Sequence, residues 1–461
     1  MCTSIKFAAL AALFCFIFFT SRLTAQDITK EQKEETINNL AKLLEDNYVF
    51  SDVGNDCAEH IKDKLKDGSF DNVSDKKELA EVLTNELQSI SHDKHMRVRG
   101  PGGMMPQDEP SNPIFDQYKF MKERGEENYG FRKVEMLDGG IGYIDLRGFA
   151  QSDKAYEVAV LAMKFIKNSN AVIFDLRKNH GGSPEMIKFI LSYFFDKPTH
   201  LNDLYWRNGD RTEEFWTNEK VDGVKMSDVP VFVLTSKETF SGGEEFTYNV
   251  QTQKRGLIIG EVTGGGANPG GMFPAGNGIS VFIPTGRAIN PITKTNWEGV
   301  GVKPDIEAPA DDALEKAIAI AEVEAEKYRQ KILEAAGKEF ENLFANLNAA
   351  EELYNKDSGE AEKKVYSSLE TVLNKNLIGE PDINILGYEF LGKQKVALAI
   401  SVFKFNTEKF PESSNVWDSL GEAYMNNGDK ELAISNYKKS LELNPDNENA
   451  KQMIEKMQSG L

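Results

Sequence analysis

Hydrophobic positions change their period along the chain, and the changes divide it. From Gln26 to about Val98 apolar residues recur three and four apart: Ile37, Leu40, Leu43 and Leu44, then Leu79, Val82, Leu83 and Leu87. That spacing lays an apolar stripe along each helix and predicts a small helical bundle over 26–98. Turn residues at Asp67-Gly68 and Asn72 separate its helices. Near Ser91–Val98 the pattern switches towards strand, and the Gly/Pro-rich stretch 100–115 reads as loop. Gly142–Arg147 and Ala171–Leu176 then read as strands, with a helix over Ala155–Ile166 between them. Val231–Leu234 and Leu257–Gly260 are short apolar runs, the mark of strands buried on both faces. Ile279, Val281 and Ile283 alternate with other residues, as in a strand with one buried face. The order is strand, helix, strand, Gly-rich turn, helix, strand, Ser-Gly turn, helix, which predicts an α/β domain over 99–310.

Past Pro309 the chain becomes rich in Ala, Glu, Leu and Lys at helical spacing, a helical connector over 311–378. Gly379-Glu380-Pro381 interrupts it. Beyond that point residues 34 apart match: Leu386 with Leu420, Gly387 with Gly421, Phe390 with Tyr424, Ala399 with Ala433, Phe403 with Tyr437, Pro411 with Pro445. A period of 34 with Trp417-x-x-Leu420-Gly421-x-x-Tyr424 is the tetratricopeptide signature, so 379–461 is expected to be an all-α repeat module. Two repeats rarely stand alone, and helices within 311–375 are expected to complete the stack. Such a module binds a peptide or protein partner, or packs on its own chain.

Composition changes the picture in three places. The formal charge of −19 argues against unaided nucleic-acid binding. Residues 1–25 carry Lys6, an apolar run Phe7–Phe19 and a small residue at Ala25, the pattern of a secretory signal peptide. About 13 apolar residues are short for a bilayer span, and no second run is long enough. Cleavage would place the mature chain in a periplasmic or extracellular space; losing Lys6 and Arg22 would take the charge to −19 − 2 = −21. It would also leave Cys57 alone, with no intrachain disulfide, cysteine zinc site or CxxC pair. No cofactor or metal site is expected.

Two turns at strand ends carry the candidate chemistry. Arg177–Gly182 follows one buried strand, and Thr235–Glu244, with Phe240-Ser241-Gly242-Gly243, follows another. Ligand groups collect at the carboxyl ends of strands in such sheets. A serine on a strand-to-helix turn presents its hydroxyl, and the next N–H groups point where an oxyanion forms. The plainer reading of Ser241 and Glu244 is a helix capping box. Glu261–Ala267 reads as a flexible Gly-rich loop, without the GK[ST] ending of a phosphate-binding loop. His95 lies at the junction after the helical segment, where the plainer reading is a surface or core histidine.

Four motifs in order, Asp145–Phe149, Asp175–Gly182, Thr235–Glu244 and Gly299–Ile306, resemble the serine peptidases related to C-terminal processing (tail-specific) proteases. The likeness is greatest to the branch holding the tricorn core and the repeats of interphotoreceptor retinoid-binding protein, and covers roughly 30–320. It implies a crotonase-like ββα-type core acting on peptide or protein substrates. It also implies roles: Ser241 as nucleophile, His95 as base, Glu298 as the group that orients the imidazole. The N–H of Gly242, with one from Gly181 or Gly182, would form the oxyanion hole. His180 is the rival base. The tail-specific relatives use a lysine in a Gly-rich segment some two dozen residues after the serine. Here that segment, Thr263–Ala267, has none, and Lys254 lies too early in the chain. Their PDZ domain has no counterpart of sufficient length. The retinoid-binding relatives imply an alternative, an apolar-ligand carrier on the same fold.

Overall fold

The computed structural model describes residues 27–101 and 112–459. The signal-peptide reading, Cys2, Cys15 and most of the expected loop at 100–115 lie outside the described residues. The chain divides at Tyr328/Arg329 into two compact units.

The first unit opens with three helices, α1 (Lys30–Asn47), α2 (Ser51–Lys66) and α3 (Lys76–Ser91). A capping box at Thr29 and Gln32 starts α1, and the Asp75 carboxylate caps α3. Then come β1 (Arg97–Arg99), α4 (Pro113–Glu126), β2 (Phe131–Leu137), β3 (Ile141–Leu146), α5 (Asp153–Phe165), β4 (Ala171–Asp175) and α6 (Pro184–Leu191). They are followed by β5 (His200–Trp206), β6 (Arg211–Trp216), β7 (Val231–Thr235), α7 (Gly242–Thr252), β8 (Leu257–Gly260) and β9 (Gly270–Gly276). β10 (Ile279–Pro284), β11 (Gly286–Ile289) and β12 (Ile306–Glu307) precede α8 (Ala313–Leu353), which runs across the division.

The central sheet has the order β12-β8-β7-β4-β3-β2, parallel except for β2. Its middle strands are apolar throughout because both faces are covered. Val172, Phe174, Val231, Val233 and Ile258 point into a core shared with α5, α6 and α7. Ile173, Phe232, Leu234 and Ile259 point the other way, onto Ala313, Ala317, Ala321 and Ala325 of α8. Four alanines at i, i+4 spacing make a flat stripe that lets the helix lie close on the strands.

The α/β alternation expected from the sequence is observed, with one departure in the helical layer. The apolar stripes of α1–α3 do not close only on one another. Ile37, Leu40, Ile61, Leu83 and Leu87 pack with Ala275, Ile279, Val281 and Ile283 of a second sheet, ordered β1-β10-β9. Val98 stands opposite Val281 in that sheet, so the helical layer is tied to a ribbon far along the chain. A second departure is α4. Its cap, Asn112, accepts hydrogen bonds from the N–H groups of Ile114 and Phe115, so the helix begins inside the stretch read as loop.

The second unit is all-α: the end of α8, then α9 (Ser358–Asn374), α10 (Glu380–Gly392), α11 (Val396–Lys409), α12 (Ser414–Asn427), α13 (Lys430–Leu443) and α14 (Glu448–Ser459). The matched small residues face the matched aromatics. A Cβ on Gly387 would lie 2.5 Å from the Phe403 ring, and one on Gly421 3.1 Å from the Tyr437 ring. Leu343, Leu347, Val365 and Leu369 share a core with α10 and α11, so α9 and the end of α8 complete the stack. Among the described residues no helix is long and apolar enough to cross a membrane.

Candidate active site

The site lies where strand ends and a buried loop meet. Ser241 follows β7 by a short turn and precedes α7, with φ 54° and ψ −120°. A non-glycine residue held there costs about 1–3 kcal/mol, so the surroundings must hold it. The Ser241 N–H donates to Glu244 Oε2 at 2.8 Å. The N–H groups of Glu244 and Glu245 both donate to the Ser241 carbonyl, and the Ser241 hydroxyl makes no cap bond. Only the Glu244 half of the expected capping box therefore forms, and the hydroxyl stays free for chemistry.

Glu244 is fully buried. Besides Ser241, its carboxylate accepts from Thr263 Oγ1 at 2.5 Å, Gly265 N–H at 2.6 Å and Gly266 N–H at 2.8 Å. Burial pushes its pKa up against the pull of these donors. The loop read as flexible is thus anchored. Lys94 Nζ also donates to the Gly264 carbonyl at 2.6 Å, and Trp297 Nε1 to the Gly266 carbonyl at 2.8 Å.

The oxyanion turn lies against Ser241. A Cβ on Gly181 would sit 2.8 Å from both Ser241 Cβ and the Gly242 nitrogen, and one on Gly242 would sit 2.9 Å from the Gly182 nitrogen. Gly181 and Gly182 have φ of 101° and 139°, open to glycine and costly for other residues. The Gly181 N–H donates to Asn179 Oδ1 at 2.8 Å, so it is engaged. Asn179 also bonds the Leu146 carbonyl through its amide, and its own carbonyl accepts from Phe240 N–H. Of the three glycines expected to supply donors, Gly242 and Gly182 keep N–H groups with no hydrogen-bond acceptor among the described residues.

His95 packs tilted against Phe240, the residue before Ser241, with ring centroids 4.6 Å apart and planes at 40°. Gly266 completes the packing: a Cβ there would lie 2.3 Å from the Phe240 ring and 2.6 Å from His95 Cε1. No hydrogen bond joins His95 to the Ser241 hydroxyl among the described residues. Burial and the nearby Arg97 hold the imidazole pKa down at about 4, so it is neutral at physiological pH. His180 is exposed, with its backbone N–H on the Arg147 carbonyl. Lys254 is exposed too, beyond the far end of α7. The 11 residues of that helix put about 16 Å between it and the serine turn.

Two carboxyl groups face His95. Glu298 Oε2 accepts the Ala267 N–H at 2.5 Å, while its buried Oε1 has no partner. Asp93 Oδ1 lies 3.9 Å from His95 Nδ1. One side-chain N or O atom from each of Asp93, His95 and Glu298 lies within 4.8 Å of the others. Burial and the neighbouring Asp93 push the Glu298 pKa up to about 8. Because this value lies above the unfolded one, the stability Glu298 contributes is full below about pH 4.5 and is lost as pH rises through about 8. Glu298→Gln should therefore melt at the same temperature as the parent near pH 4.5 and about 3 °C or more higher at pH 8.5, as thermal melts at the two values would reveal. An equal difference at both would contradict the raised pKa.

Asp93 and Thr263 were given no role from the sequence, and Glu244 only that of a helix cap. The signal for Asp93 was present in the Asp93-Lys94-His95 junction, and for Glu244 in the capping pattern.

Residues 140–308 match peptidase family S41, residues 24–127 the N-terminal domain of that peptidase in eukaryotic IRBP, and residues 416–447 a tetratricopeptide repeat. The chloroplastic carboxyl-terminal-processing peptidase 2 of Arabidopsis thaliana is 30% identical over 171 residues, 37% of this chain and 32% of that protein. A carboxyl-terminal-processing protease of Picosynechococcus is 22% identical over 200 residues, 43% of each chain. The matched stretch thus spans less than half the length of these curated relatives. The solved photosystem II D1 C-terminal processing protease aligns over 62% of this chain and 94% of its own, at 14% identity and a TM-score of 0.39. Ser241 and Glu298 fall within one matched stretch and His95 within the other: residues 140–308 are similar to peptidase family S41, preceded by a stretch similar to that peptidase's N-terminal domain in eukaryotic IRBP and followed by one similar to a tetratricopeptide repeat.

Proposed function

We propose that the protein is an exported serine endopeptidase. Ser241 attacks the scissile carbonyl, His95 takes its proton, and the Gly242 and Gly182 N–H groups receive the oxyanion. The proton then passes from the imidazole to the leaving amine, and a water deprotonated by His95 releases the acyl group. Glu298 stands behind the imidazole as its orienting carboxyl group. The observation that carries this reading is the Ser241 turn: a strained serine with a free hydroxyl, two unengaged N–H groups beside it and a neutral imidazole packed against the preceding residue. Ser241 and His95 are not hydrogen-bonded here; catalytic hydrogen bonds are often long or poorly aligned before substrate binds. Peptide chains are the proposed substrates, and the tetratricopeptide module the proposed dock for a protein partner. Residues 1–25 support export.

Treatment of the full chain with a fluorophosphonate probe, followed by peptide mass mapping, tests the proposal. Modification of Ser241 alone is expected; modification elsewhere with Ser241 untouched overturns it. Lys254→Ala is expected to keep kcat/KM within about twofold, since a change that far from the reacting atoms removes no transition-state contact. A fall of a hundredfold would return lysine to the mechanism.

A further inference from the structure

Three donors from three separate segments converge on a carboxylate that the proposed triad does not use. Asp93 is 1% exposed. Its Oδ2 accepts from Tyr48 Oη at 3.2 Å and from Asn268 Nδ2 at 2.9 Å, and its Oδ1 accepts the His95 backbone N–H at 2.9 Å. Tyr48 closes α1, Asn268 ends the Gly-rich loop, and His95 is the proposed base itself. The Met96 N–H closes a turn on the Asp93 carbonyl, which fixes the backbone between the two side chains. His95 Nδ1 is buried and has no partner, and Asp93 Oδ1 lies 3.9 Å away.

Burial pushes the Asp93 pKa up, and three donors oppose it by favouring the charged form. Glu298 has fewer, with one oxygen bare. Two buried carboxyl groups this close do not both ionise easily. The one with more donors keeps the charge, and the other keeps the proton. Other titratable groups facing the cluster do not change this order. Tyr48 and Cys57 are buried and stay neutral, pushed up by burial and by acids beside them. Arg97 faces His95, and Glu244 faces Glu298 from the other side of the loop.

We infer that Asp93 is a positioning residue for His95, the anionic acceptor that fixes the Nδ1–H tautomer and leaves Nε2 for the serine, while Glu298 flanks the pair as a carboxylic acid. The inference rests on the peptidase reading for its kinetic arm only. In place of one orienting carboxylate, two acids of unequal charge bracket the imidazole. Closing the Asp93–His95 gap by a side-chain rotation forms the bond when Ser241 gives up its proton and the imidazolium needs a counter-charge.

Asp93→Asn in the full chain is the test, with Glu298→Gln beside it. Asp93→Asn is expected to lower kcat by about 10²–10⁴ with KM within about twofold, since an amide favours the wrong tautomer. It should also shift the Glu298 titration in the pH profile of kcat downward by about one unit, because a neighbouring charge is gone. A role confined to folding would lower the melting temperature and leave the pH profile where it was, and that outcome overturns the inference. The second measurement needs no turnover. In protein with ¹⁵N-labelled histidine, the His95 ring, assigned with His95→Gln, should be the Nδ1–H tautomer in the parent and change its tautomer ratio in Asp93→Asn. If Asp93→Asn does not fold, Tyr48→Phe removes one donor from the same carboxylate, and an unmoved His95 ring signal overturns the inference. If the parent neither hydrolyses peptides nor takes the fluorophosphonate probe, the peptidase reading fails, while the ring tautomer still decides the role of Asp93.

Discussion

Ser241→Ala is expected to abolish peptide hydrolysis while the protein stays folded. Removing the nucleophile of such a unit costs about 10⁴–10⁶ in kcat. What remains comes from the oxyanion donors and substrate binding alone. The fold should not notice. The hydroxyl makes no cap bond, the Ser241 N–H still reaches Glu244, and alanine meets the positive φ at the same cost as serine. Melting temperatures within about 2 °C of one another are expected, because surface changes away from such features stay within about 0.5 kcal/mol. Turnover of a fluorogenic peptide and a thermal melt on the same preparation check both halves. Retained turnover would remove Ser241 from its role.

Glu244→Gln is expected to cost both activity and stability, although Glu244 touches no substrate. Its carboxylate gathers four donors, from Ser241, Thr263, Gly265 and Gly266. A glutamine offers one oxygen and turns an NH₂ group towards donors that need an acceptor. Each donor left bare in the interior costs about 1–3 kcal/mol. A loss of about 3 kcal/mol is expected in denaturant unfolding, with at least a hundredfold fall in kcat as the serine turn relaxes. A variant with the parent's midpoint and rate would mean that the turn is held by its backbone alone.

How much of this was legible in the sequence depends on the distance over which each residue finds its partner. The strands at 231–235 and 257–260 were legible because both faces are buried and the runs are unbroken. The serine turn was legible because a strand end, a serine and glycines lie within a few residues. The repeat was legible from its period, and Gly387 against Phe403 is the contact that the period encodes. The helical layer was read correctly as helices, yet its partner was not, since Val98 meets Val281 across the length of the domain. The Gly-rich loop was misread for the same reason. Glycine signals freedom locally, and nothing near residues 263–267 announces that Glu244, Glu298 and Lys94 hold it. The role of Asp93 was not legible, since its partners Tyr48 and Asn268 lie 45 and 175 residues away in the chain.

The packing around Gly266 ties the backbone of the loop to the His95 ring. Gly266 has no side chain, and the space one would fill is taken by the rings of His95 and Phe240. Any side chain at 266 would push those rings aside. A substitution at Gly266 would therefore displace the proposed base without altering any titratable group.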